Sequence, residues 1–139
     1  MNKLSYEEAL EKAPFLIVST TGTSMLPLIK EGENTIKITK VSAKLKRGDV
    51  LLFKRDDGSY VLHRLVRVKK DKLLMCGDNQ VAIEKIDINQ VIGIMDGYFI
   101  GEEFISIDNK EYIKYYKKRL FNRPFRRFKY LVKRLIKKE

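Results

Sequence analysis

The chain has 139 residues, with 29 lysines and arginines against 18 acids, one histidine and one cysteine. That length suits one domain with room for a core, and a single cysteine excludes an intramolecular disulfide and a thiolate metal cluster. The formal net charge of +11 is unevenly placed: residues 1–109 carry 16 basic and 16 acidic side chains, whereas residues 110–139 carry 13 basic and two acidic ones, so the whole excess lies in the C-terminal segment.

Ser5-Tyr6-Glu7-Glu8 has the form of a capping box and predicts a short helix over 5–12, stopped by Pro14. Its acids stand where a signal peptide carries an apolar stretch, so no signal peptide is expected. No apolar run approaches the ~20 residues of a bilayer-spanning helix. Phe15–Thr20 reads as a buried strand, and Gly22 to Pro27 as a turn. Strands are expected at Thr35–Thr39, Val50–Lys54 and Tyr60–Val68, the last two joined by the hairpin signal Asp56-Asp57-Gly58-Ser59. Lys72–Met75 is a further strand, ending at Gly77-Asp78-Asn79. Ile86–Ile94 and Tyr98–Ile107, the latter turning at Gly101-Glu102-Glu103, complete a mainly β body over residues 1–108. From Asn109 the pattern becomes helical, with Tyr112, Ile113, Tyr116, Leu120 and Phe121 at helical spacing. Pro124 is expected to interrupt this helix and open a second one, striped by Phe125, Phe128, Leu131, Val132, Leu135 and Ile136. Residues 109–139 thus read as a basic amphipathic helical tail, Lys138 being among its bases.

Three strings bear on chemistry. Gly22-Thr23-Ser24-Met25-Leu26-Pro27 presents a hydroxyl on a bounded turn, Leu62-His63-Arg64 carries the only imidazole, and Cys76-Gly77-Asp78-Asn79 carries a carboxylate. Taken singly, Ser24 is a hydrophilic turn residue, His63 a strand histidine bonded to backbone, and Asp78 a turn carboxylate bonded to its own main chain. Taken together they supply a nucleophile, the base that activates it, and a carboxylate to orient that base. Cys76 reads as a small buried hydrophobe rather than a nucleophile. One histidine and no cysteine pair leave too few ligands for a metal, and no cofactor is expected.

In this order the strings resemble the signal-peptidase and LexA-type serine peptidase superfamily. Ser24-Met25-Leu26-Pro27 is similar to its S-M-x-P nucleophile box, Arg47-Gly48-Asp49-Val50 through His63-Arg64 to the box leading to the base, and Gly77-Asp78-Asn79 to its G-D-N box. The histidine at the base position resembles the archaeal and endoplasmic-reticulum branch of the signal peptidases. The likeness spans residues 14–100 and implies a LexA/signal-peptidase-like β fold. It also implies a serine endopeptidase with Ser24 as nucleophile, His63 as base and Asp78 as supporting acid, Asp49 being the other carboxylate for that role. The Ser24 amide is the implied oxyanion donor. Gly22 stands where some members place a further hydroxyl, leaving Ser19, Thr21 and Thr23 as candidates for that donor. The implied substrate is a peptide or protein bound as an extended strand along Phe15–Thr20 and near Val61, with small residues one and three positions before the cut. Signal peptidases carry a membrane-spanning helix before the nucleophile box, and here a capped acidic helix stands there instead. The tail, residues 110–139, suits an anionic membrane surface first, packing on its own body second and nucleic acid third. The expected location is cytoplasmic, peripheral on the inner face of a membrane. Two other readings differ in class. A peptidase-fold binding module would dock through its tail. A LexA-type self-cleaving regulator would need a DNA-binding domain, for which the residues before Ser24 are too few.

Overall fold

The computed structural model describes residues 4–137, so Lys138 of the basic tail lies outside the described residues. Helix α1 (Tyr6–Lys12) starts at Ser5, whose hydroxyl accepts the Glu8 amide at 3.2 Å, and it ends at Ala13, before Pro14. Eight strands follow: β1 (Phe15–Ser19), β2 (Asn34–Thr39), β3 (Val50–Lys54), β4 (Tyr60–Lys69), β5 (Lys72–Cys76), β6 (Glu84–Asp87), β7 (Val91–Ile100) and β8 (Glu103–Ser106). They form one antiparallel sheet in the order β1-β2-β7-β3-β4-β5-β6, with β8 beside β7. The fold is mainly β, with a short N-terminal helix and the C-terminal helix α2 (Lys110–Lys137). No helix among the described residues is long and apolar enough to cross a membrane.

Strand β3 is buried along its whole apolar run because both of its faces are covered. Val50 and Leu52 join a core with Leu10, Met25, Ile29 and Ile36, while Leu51 and Phe53 face the other way, into a core with Leu65, Leu73, Met75 and Ile86. β4 inherits this two-sided burial, so His63 and Arg64 are both buried although successive side chains leave opposite faces. The Asp56–Ser59 hairpin closes as its composition predicts: Arg55 N–H donates to the Ser59 carbonyl at 2.8 Å, and the Asp57 carboxylate accepts from the Ser59 amide and hydroxyl.

Three expectations are corrected. Phe15–Ser19 is an exposed edge strand rather than a buried one, since β2 is its only partner among the described residues and only Val18 of its five residues is buried. Ile86–Ile94 is not one strand. Ile88–Gln90 form a single 3-10 turn between β6 and β7, where the Gln90 side chain accepts the Asp87 amide at 2.8 Å and donates to the Lys54 carbonyl at 3.0 Å. Pro124 does not divide the C-terminal segment either, because α2 is continuous through it. Proline removes one helical donor, but α2 is held on both sides of that step. Tyr115 bonds Asp78 upstream, and Arg126 downstream donates to the Asp78 carbonyl at 2.7 Å and back to the Arg119 carbonyl at 3.3 Å.

Candidate active site

Ser24 lies on the connection between β1 and β2. Gly22 turns the chain at φ +84° and donates its amide to Glu31 at 3.1 Å. One tight turn follows, with Leu26 N–H on the Thr23 carbonyl and Ile29 N–H on the Met25 carbonyl. Met25 and Ile29 are buried in the core and anchor the turn, leaving Ser24, just before them, half-buried. The Ser24 amide donates to no protein acceptor among the described residues, as an oxyanion donor requires.

The third string cradles this turn, a role its composition did not signal. Asn79 N–H donates to the Ser24 carbonyl at 2.8 Å, Asn79 Nδ2 donates to the Thr23 carbonyl at 3.1 Å, and the Asp78 amide meets Met25 Sδ at 3.4 Å. Gly77 is required by the closeness of the approach: a Cβ there would stand 2.5 Å from the Ser24 carbonyl oxygen and 3.1 Å from its Cβ.

His63 sits opposite Leu51 in the β3–β4 register, and its ring meets Phe53 edge-on at 6.0 Å. It is 4% exposed. Burial is the main cause that lowers its pKa from 6.5, and the Arg55 charge adds to this, while Glu84 and Asp78 pull the other way. Burial therefore favours the neutral imidazole, the form a general base needs. Its Nδ1 is buried with no hydrogen-bond partner among the described residues.

Asp78 does not bond to it. Arg64 Nε and Nη2 hold the two Asp78 oxygens at 2.7 and 2.9 Å, and Tyr115 donates to Oδ2 at 2.8 Å. The reason is geometric. Arg64 follows His63 on the strand, so the two side chains leave opposite faces, and the carboxylate arrives on the arginine's side. Arg64, 1% exposed, also donates to the Gly48 carbonyl at 2.7 Å and to Tyr112 Oη at 3.1 Å, and packs against the rings of Tyr112 and Tyr116. Burial disfavours its charge, but the bonds and charge of Asp78 outweigh that and raise its pKa. Gly48, at φ +104°, leaves room for the Tyr116 ring that a Cβ would meet at 2.5 Å. Asp49 is also elsewhere: its carboxylate accepts the Lys46 amide at 2.8 Å, and its carbonyl accepts Leu65 N–H at 2.7 Å.

Ser24 and His63 meet on one groove of about 490 Å³, although no hydrogen bond joins them among the described residues. Val18, Ser19 and Thr20 form one wall, Tyr60, Val61 and Leu62 the other. Among the described residues both walls are unpaired strand edges: β1 bonds β2 alone, and Tyr60–His63 bond β3 alone because β5 begins its pairing at Arg64. Cys76 is buried, with burial raising its thiol pKa, and its S–H contacts the Gly77 and Gln80 carbonyls. Among the described residues no cluster of three metal-ligating side chains occurs. No family model matches the chain, and no curated protein matches it.

Proposed function

We propose that the chain is a serine endopeptidase of the signal-peptidase type, which removes a leader or signal segment from a peptide or protein laid along the groove as an extended strand. The observation that carries this reading is the convergence of Ser24 and the sole histidine on one cavity walled by two unpaired strand edges. Such edges offer main-chain donors and acceptors to an added strand. Ser24 Oγ attacks the scissile carbonyl carbon while His63 accepts its proton through Nε2, since Nδ1 is sealed. The oxyanion takes the free Ser24 amide as donor. Collapse of the tetrahedral intermediate breaks the C–N bond, and His63 returns the proton to the leaving amine. Water then hydrolyses the ester by the same proton relay. Asp78 works at one remove: it neutralises Arg64, and its loop holds the Ser24 turn.

A fluorophosphonate probe, which reacts only with an activated serine, tests the dyad. Wild type is expected to label, Ser24→Ala not at all, and His63→Ala about 10²–10⁴-fold more slowly. Equal labelling of the three overturns the proposal. The sequestration of Asp78 and the unpartnered Nδ1 favour one second reading, a non-catalytic module that holds extended peptides. It predicts peptide binding with no hydrolysis by wild type.

The proposed location is peripheral, on the inner face of an anionic membrane. The distal half of α2 turns Phe121, Phe125, Phe128, Leu135 and Ile136 outward, opposite the face that carries Arg123 and Arg127, and each is more than half exposed. An apolar stripe flanked by lysines and arginines binds such surfaces.

A further inference from the structure

Past His63 the groove opens into a second cavity of about 980 Å³. Arg55, His63 and Gln80 border both spaces, whereas Ser24 borders only the first. One wall is the 79–84 segment. The other is one face of α2, where Arg123, Arg127, Tyr130, Leu131 and Arg134 fall at three- and four-residue spacing. Leu131, still 47% exposed, stands at the border between this cavity and the apolar stripe.

The charge in this cavity is one-sided. Among the described residues its four arginines face a single acid, Glu84, and both Glu84 oxygens are taken by Arg55 at 2.7 and 2.8 Å. Arg123 and Arg127 have no carboxylate partner among the described residues. Arg123 Nη2 donates to the Val81 carbonyl at 3.3 Å, while its Nε is buried without an acceptor among the described residues. A buried donor left unpaired is costly, and a ligand acceptor relieves that cost. Tyr130, Leu131 and Ile83 supply an apolar complement to the guanidinium groups.

We infer that this cavity holds the segment of substrate on the leaving-amine side of the cut and selects acidic side chains there. The inference rests on the hydrolase reading. His63 must return its proton to the departing nitrogen, so the chain bearing that nitrogen starts at the imidazole. It continues where His63, and not Ser24, forms the wall. Carboxylates meet paired guanidinium donors there, with Arg123 and Arg127 lacking a carboxylate partner among the described residues.

Two synthetic peptides test this, identical except that one carries Asp and Glu after the expected cut and the other Asn and Gln. Binding is read by fluorescence anisotropy on Ser24→Ala, and cleavage separately on wild type. The acidic peptide is expected to bind about tenfold more tightly, with the advantage lost in Arg127→Gln/Arg134→Gln and reduced by added salt. Equal affinities for the two peptides, or an advantage that survives the double substitution, overturn the inference. Displacement of the acidic peptide by a single-stranded oligonucleotide that binds more tightly also overturns it, and assigns the cavity to nucleic acid. Discrimination without cleavage keeps this site and removes the hydrolase reading. Cleavage without discrimination does the reverse.

Discussion

Burial acts on His63 in one direction, and the sign can be followed into two measurements. Its charged form is disfavoured in the folded chain, so the folded pKa lies below the ordinary 6.5. The kcat/KM of a peptide substrate should therefore rise with pH through a single midpoint below that value and stay flat through neutrality. Stability follows the same group: between the two pKa values the unfolded chain binds more protons, so this contribution is complete above 6.5 and is lost as the pH falls below it. Urea midpoints measured from pH 7.5 down to 5 should fall less in His63→Gln than in wild type; parallel curves would contradict this sign. Asp78 gives a second prediction. Its partner is a buried arginine, so Asp78→Ala should destabilise the chain by about 3–5 kcal/mol in chemical denaturation, because an unpaired guanidinium is left buried. Were Asp78 instead the direct partner of the imidazole, Asp78→Asn would lower turnover and leave stability almost intact. The order of the three strings was legible from residue types alone. The partner of Asp78 was not, because His63 and Arg64 are neighbours in the chain, and only the side from which the third loop arrives decides between them.

Strand edges decide the groove more than any single side chain. β1 alternates in burial because only one of its faces packs on the core, and its outer edge has no strand partner among the described residues, while Tyr60–His63 lack one because β5 begins its pairing at Arg64. If substrate adds to these edges, methylating one inward-pointing backbone amide of a bound peptide should weaken it about fivefold, as for one lost hydrogen bond, while the alternate amides tolerate the change. Titration of an N-methyl scan against Ser24→Ala reads this, and a scan without alternation would rule out strand addition. Capping at Ser5 and the Asp56–Ser59 hairpin were readable because each is a local, four-residue matter. Edge exposure, the turn inside Ile86–Ile94 and the unbroken passage through Pro124 depend on what packs alongside, which local pattern does not carry.

Across the whole molecule, α2 is two things joined end to end. Its first half is part of the body, with Tyr112 buried against Arg64, Tyr115 on Asp78 and Tyr116 over Gly48. Its second half lines a basic cavity on one face and exposes an apolar stripe on the other. A chain ending after Leu120 keeps this aromatic docking and loses the Arg123 and Arg126 bonds to the 78–81 carbonyls, so it should lose less stability than one ending after Asn109 and fail to co-sediment with anionic vesicles. One ending after Asn109 should lose on the order of 3–5 kcal/mol, the scale of removing a buried aromatic side chain. Equal melting of the two truncations would show that the aromatic docking adds nothing, and unchanged sedimentation of the first would remove the membrane surface. The chain also holds a single imidazole among its 139 residues. In a proton or nitrogen NMR spectrum that ring gives one isolated set of signals with no assignment needed, so its tautomer, its titration and the arrival of a peptide in the groove it shares with Ser24 can be followed directly in unaltered protein.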